Sequence, residues 1–311
     1  MELVDWDEEE WATRAARALC REGGVRIRLD APAAATVARL LAAAKSFFDD
    51  ADAKRATSAT PRADPDTRCG YVHTAARQVF ELHPTQAGTD AAIAAAATHT
   101  TAAAMTAVAR LHSESCLQLS SQVLHALGAI IDVASLANIA ALDDGRFDAS
   151  LLRVYQYNGE GSSSDEGCLF PPHEDLGLLT LAPAATVPGL EALVRGGWVA
   201  VEPSMGRDEL FLFGGSILAY VSGGQVPALV HRVCCSARGR RITAPFFFRP
   251  SLEVPIFSAS PGSHEPVLAA RFIRDLRKAR ACAAEVAIGR EGLNAHMVTT
   301  ASNATVDSDR S

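Results

Sequence analysis

The sequence predicts an α+β protein: a two-sheet jelly-roll core, preceded by a mixed, largely helical region and followed by one carboxy-terminal helix. Three observations carry this. Between Leu151 and Pro250, short apolar segments are separated by Gly, Pro and Ser, the pattern of short strands joined by tight turns. From Thr89 to Ala129 alanine dominates, and Leu111, Leu117, Leu124 and Leu127 supply an apolar stripe for one long helix against the barrel exterior. From Glu265 to Val286, Val267, Leu268, Phe272, Ile273 and Leu276 recur at helical spacing among basic residues.

The remaining elements follow in chain order. Glu8 to Glu22 reads as a helix stopped by Gly23-Gly24, after which Val25 to Leu29 alternates like a strand. Ala33 to Asp49 is a second helix. Thr57 to Arg68, rich in Pro, Asp, Thr and Ser, is a loop able to cross the mouth of a site. From Gly289 the chain turns polar and is expected to be disordered to Ser311. The expected division is an amino-terminal region over 1–147, the jelly-roll core over 148–252, the carboxy-terminal helix over 253–289 and a tail over 290–311.

Composition narrows the class. A net charge of −7 provides no basic footprint for nucleic acid. No apolar run approaches the roughly 18 residues that span a membrane. Met1 to Glu10 is acidic, unlike a secretory signal or a transit peptide. Seven cysteines, an odd number without regular spacing, point to a reducing compartment. The expectation is a monomeric cytoplasmic protein acting on a small molecule, with neither nucleic acid nor membrane as partner.

The chemistry concentrates in two segments. In Pro172-His173-Glu174-Asp175, His173 and Asp175 are two positions apart and share one face if the segment is a strand, with Glu174 pointing away. His231, 56 positions after Asp175 and flanked by Leu229, Val230 and Val233, has the context of a third ligand on a neighbouring strand. Two imidazoles and one carboxylate take one face of an octahedral Fe(II) and leave other positions open for O2 and organic ligands. His231 alone, in a chain of nine histidines, would read as an ordinary strand residue. Ten positions on, however, Arg241 and Thr243 again share a strand face, and a guanidinium beside a hydroxyl suits a carboxylate. A clamp so near a metal ligand suggests a dicarboxylate co-substrate.

These residues resemble the Fe(II)- and 2-oxoglutarate-dependent dioxygenases, in the branch that includes isopenicillin N synthase. The likeness extends from Pro172–Leu181 through Gly189-Leu190-Glu191, Trp198–Pro203 and His231-Arg232-Val233 to Arg241-Ile242-Thr243, with Leu152–Tyr157 resembling the first barrel strand. Phe47-Phe48 with Lys54, Gly70-Tyr71 and Phe80-Glu81 fit it less specifically, so that it covers about residues 15 to 280. The resemblance implies a double-stranded β-helix and an Fe(II) centre on His173, Asp175 and His231. It implies that Arg241, Thr243 and Tyr157 hold the far carboxylate of 2-oxoglutarate, and that O2 is consumed, with ascorbate as a reductant. The implied reaction is oxidative decarboxylation of 2-oxoglutarate to succinate and CO2, coupled to hydroxylation or desaturation of a small organic substrate.

The departures are specific. Phe213-Gly214-Gly215-Ser216 stands where the family has Asn-x-Gly-Asp and Ser222-Gly223-Gly224 where it has Thr-Asn-Gly, and neither change is expected to touch a ligand. Thr243 replaces a serine and Tyr155 an asparagine. An oxidase using iron and O2 without 2-oxoglutarate, of the isopenicillin N synthase or aminocyclopropanecarboxylate oxidase type, stays open. So do a non-enzymatic jelly-roll binding module and an interaction protein built on the alanine-rich helix.

Overall fold

The computed structural model of the chain describes residues 1–58, 70–74, 77–83, 96–131, 136, 139, 147–157, 168–234, 239–259 and 265–281. It opens with β1 (Leu3–Asp5), α1 (Trp11–Glu22), β2 (Gly24–Arg28), α2 (Ala31–Asp49) and α3 (Ala51–Ala56). α1 starts at Trp11, later than the expected Glu8, and Trp11 is the first buried side chain of that segment. It ends at Gly23, whose φ of 72° is left-handed and whose N–H donates to the Leu19 carbonyl. α2 begins two residues early because Asp30 caps it, accepting the Ala33 N–H at 2.8 Å, and Pro32 suits the first turn. β3 (Gly70–His73) and β4 (Arg77–Leu82) follow; most of the expected 57–68 loop lies outside the described residues.

The alanine-rich segment forms one unbroken helix, α4 (Thr100–Ile130), although residues 89–95 of the expected span lie outside the described residues. Its buried face takes in most of the leucine stripe, with Leu124 and Leu127 fully buried and Leu117 packed against the core. Ala102, Met105, Ala109, His112, Cys116, Leu119, Val123 and Leu127 line it at spacings of three and four, while Leu111 is 47% exposed. Small side chains here let α1 and α2 pack closely on α4.

The barrel strands are β5 (Leu151–Tyr157), β6 (Cys168–His173), β7 (Leu179–Pro183), β8 (Leu190–Val194), β9 (Gly197–Ala200), β10 (Glu209–Gly214), β11 (His231–Cys234), β12 (Arg241–Thr243) and β13 (Phe246–Phe248), with the short helix α5 (Ser216–Val221) before β11. The larger sheet runs β1-β2-β10-β7-β13-β5-β4-β3, with β12 also on β5; the smaller runs β6-β11-β8-β9. Two sheets, antiparallel except for the β1–β2 pair, are the jelly roll expected from the turn-punctuated pattern. β12 and β13 keep one register against β5, Arg241 opposite Tyr157 and Phe247 opposite Leu151. The break falls at Pro245, which has no N–H to give but accepts the Arg153 N–H at 3.0 Å.

Period-two alternation then sorts the side chains. On β5, Leu152 and Val154 enter the main core, while Arg153, Tyr155 and Tyr157 face the space between the sheets. On β13 the phenylalanines divide likewise. Phe246 and Phe248 are in the core, and Phe247 faces the cavity.

The carboxy-terminal segment differs from a helix starting at Glu265. Val267–Leu268 pairs with Pro255–Ile256 as a two-stranded ribbon, and the helix, α6, covers 269–281 with Ala269 and Ile273 in the main core. The polar tail lies outside the described residues. Among those described, no helix is long and apolar enough to cross a membrane.

Candidate metal centre

β6 lies at the edge of the smaller sheet, so Pro171 and Pro172 are tolerated there without N–H groups. Between His231 and Val233 of β11 there are two steps, whereas the opposing stretch from His173 to Phe170 takes three. This bulge turns Phe170 and His173 to the same face, where both border one cavity. His231 lies directly across from His173 in the antiparallel ladder. Asp175 is not a strand residue: β6 ends at His173, and Asp175 sits in the loop entering β7. Glu174 does not simply point away, as it borders the cavity and accepts from Arg280.

The three side chains converge. One donor atom each from His173, Asp175 and His231 lies within 4.8 Å of the others, the one such cluster among the described residues. The Nε2 atoms of His173 and His231 stand 3.7 and 3.8 Å from Oδ1 and Oδ2 of Asp175. Each imidazole is oriented from behind, His173 Nδ1 donating to the Pro171 carbonyl at 2.9 Å and His231 Nδ1 to the Leu229 carbonyl at 3.1 Å. That arrangement leaves both Nε2 lone pairs facing inward. Burial, followed by the neighbouring His231, pushes His173 down to about 4, so it stays neutral and able to donate its lone pair. Two neutral imidazoles and a carboxylate fit a divalent metal with open positions.

Residues beyond the expected set tie this centre down. Thr180 Oγ1 donates to Asp175 Oδ2 at 2.6 Å. Ser216, which was expected to touch no ligand, donates its N–H and hydroxyl to the Asp175 carbonyl at 2.8 and 3.0 Å. Gly215 makes this possible, because a Cβ there would lie 2.4 Å from the Gly177 carbonyl. From α6, Arg280 donates to the Glu174 carbonyl, to Glu174 Oε2 and to Ser216 Oγ at 2.8–2.9 Å. The continuous apolar run around Thr180 marks a buried strand residue, but no sequence signal pairs it with Asp175 or Arg280 with Glu174.

Arg241, Thr243 and Tyr157 border the same cavity of about 320 Å³. Arg241 is fully buried, and its Nη1 donates to both carboxylate oxygens of Glu202, at 2.8 and 3.0 Å, and to the Val187 carbonyl. Glu202 also accepts the backbone N–H groups of Ala185, Gly189 and Leu190. Its position in the Trp198–Pro203 segment gave no hint of this, because the partner lies on a distant strand. Arg241 Nε is buried with no hydrogen-bond partner, so the guanidinium retains an unfilled donor, as a site for a further carboxylate requires. Burial, followed by Tyr155, pushes the Tyr157 phenol upward, leaving it protonated and able to donate.

The sequence model of the 2OG-Fe(II) oxygenase superfamily matches residues 149–250. A sexual differentiation process protein, isp7, of Schizosaccharomyces pombe is 31% identical over 108 residues, 33% of this chain and 27% of that protein. The chain thus matches about a quarter of that relative's length. Among solved structures, the dioxygenase for auxin oxidation from rice superposes with a TM-score of 0.70 at 20% identity, covering 91% of this chain and 96% of that one. The corresponding auxin-oxidising dioxygenase of Arabidopsis thaliana, solved as a complex with 2-oxoglutarate, superposes with a TM-score of 0.63 at 16% identity, covering 82% and 94%.

Proposed function

We propose, on the match of residues 149–250 to the sequence model of the 2OG-Fe(II) oxygenase superfamily, that the chain is a non-haem iron oxygenase that converts 2-oxoglutarate to succinate and CO2 while hydroxylating or desaturating a small organic molecule. One observation carries this reading: three inward-facing metal donors share a cavity with a buried guanidinium that keeps an unfilled donor. In this reading His173, Asp175 and His231 hold Fe(II), which when bound supplies the activation of O2 that drives the oxidation. The carbonyl groups behind the two imidazoles keep their lone pairs on the metal side, and Thr180 keeps the Asp175 carboxylate turned toward them. Arg241, with Thr243 and the Tyr157 hydroxyl, binds the far carboxylate of 2-oxoglutarate. Phe170, Phe213 and Phe247 restrict water at the reacting carbon.

The same reading places the chain in the isopenicillin N synthase-like branch, as a cytoplasmic monomer that uses ascorbate as reductant. It is supported by the Pro172–Thr243 motif series and by seven cysteines without framework spacing. A second reading has an observation of its own: Glu202 already claims part of Arg241, as would suit an oxidase that needs iron and O2 but no 2-oxoglutarate. Anaerobic reconstitution with Fe(II), then exposure to O2 with and without 2-oxoglutarate, separates them. Succinate release that is lost in His173→Ala, Asp175→Ala and His231→Ala is expected; turnover independent of 2-oxoglutarate would favour the oxidase.

A further inference from the structure

Four guanidinium groups border the cavity, and three have a carboxylate. Arg153 Nε stands 2.7 Å from Glu81, Arg241 Nη1 2.8 Å from Glu202 and Arg280 Nη2 2.8 Å from Glu174. Arg249 has none. It is 5% exposed, its Nε is buried without a partner, and its guanidinium makes no hydrogen bond or ion pair to any described residue. A buried unpaired charge costs several kcal/mol and is a poor structural element, since an apolar side chain of similar volume would be more stable there.

The position of Arg249 is built. Ser150 Oγ accepts the Arg249 N–H at 3.0 Å and donates to the Arg249 carbonyl at 3.1 Å. The side-chain stem runs against Gly177, two residues after Asp175, where a Cβ would lie 3.1 Å from Arg249 Cγ and 2.7 Å from the Phe248 carbonyl. The guanidinium carbon is 5.4 Å from the centre of the Phe247 ring, an apolar wall of the same cavity. Arg249 and the proposed co-substrate clamp approach the cavity from opposite ends of β5. Arg241 pairs with Tyr157 at one end of β5 and Phe247 with Leu151 at the other, six residues and roughly 20 Å apart at about 3.3 Å per residue.

We propose that Arg249 is the specificity-determining residue for the organic substrate and binds a carboxylate on it, so that the molecule oxidised is a small carboxylic acid with an apolar body. This rests on the proposed oxygenase reading and adds the substrate class. Burial, followed by the Arg153 guanidinium, pushes Arg249 down to about 10 against the opposing longer-range pull of Asp175 and Glu81, so it remains charged at neutral pH with no carboxylate in direct contact. Phe247 and Phe170 supply apolar surface for the rest of such a molecule.

The test is calorimetric titration of the Fe(II)-loaded protein with 2-oxoglutarate under exclusion of oxygen. The probes are phenylacetate, 3-phenylpropionate and octanoate, each against its primary amide, with phenyl phosphate as a further anion. At least one acid should bind more tightly than its amide. Arg249→Met should weaken that acid by about 10- to 100-fold, the worth of a charge-assisted hydrogen bond, and leave amide and 2-oxoglutarate binding unchanged. Arg249→Lys should recover part of the preference. The proposal is overturned if no acid outbinds its amide, if the preference survives Arg249→Met, if phenyl phosphate is the anion that depends on Arg249, or if 2-oxoglutarate binding falls in parallel. If 2-oxoglutarate does not bind the wild-type protein at all, the oxygenase reading fails, and the acid preference is read on the iron-loaded protein without it.

Discussion

Glu202 holds Arg241: both side chains are at most 3% exposed, and the two carboxylate oxygens lie 2.8 and 3.0 Å from Nη1. The pair fixes the guanidinium at the cavity wall and at the same time satisfies the amides of Ala185, Gly189 and Leu190, which couples the proposed co-substrate clamp to the start of β8. Glu202→Ala should therefore lower stability by about 3–5 kcal/mol, the cost of stranding a buried charge. Arg241→Lys should fold, keep its metal affinity and raise the 2-oxoglutarate concentration needed for half-maximal turnover, because the planar fork is lost. Chemical denaturation checks the first outcome and steady-state kinetics the second.

Thr180→Val removes one hydrogen bond to Asp175 and preserves the shape of the side chain. Metal affinity should fall by roughly 10- to 100-fold, as for other residues that orient a ligand, with little change in the unfolding transition. Competition with a chelator would measure it; unaltered affinity would show that the loop alone aligns Asp175.

Acid sensitivity should come in part from His112 in α4. Burial pushes it down to about 4 from an ordinary 6.5, against the opposing hydrogen bond to the Ala244 backbone. Because the folded-state value is the lower one, the stabilising contribution is complete above about pH 6.5, is lost as pH falls through that window, and is exhausted below about 4. The loss amounts to about 3 kcal/mol. Urea titrations across this range should show that slope, and His112→Gln should flatten it.

α6 joins the core at one end and the metal loop at the other. Arg280→Ala leaves the buried Ala269 and Ile273 in place and cuts the contacts to Glu174 and Ser216. As the Arg280–Glu174 pair is 35% exposed on both sides, the stability cost should be at most about 1 kcal/mol, while turnover falls because the Asp175 loop loses its outer support. Ending the chain at residue 264 exposes the core surface under Ile273 and should cause aggregation, visible by light scattering.

The sequence alone determined the jelly roll, the helical regions around it and the residues that could be ligands or clamp. These depend on local rules: alternation decides which side chains share a face, and Gly and Pro mark where strands end. Tertiary structure decided the rest. Asp175 reaches the centre from a loop because Ser216 and Thr180 hold it, and Leu111 of the expected stripe stays exposed because α1 and α2 pack on α4 while Leu124 and Leu127 turn inward. Glu202 with Arg241 and Arg280 with Glu174 are separated by 39 and 106 positions, and the unpaired Arg249 became visible only once the carboxylates of its neighbours were located. Buried charge is an energetic property of an environment assembled from distant segments, so no local pattern in the chain encodes whether a given arginine is satisfied or still requires an anion.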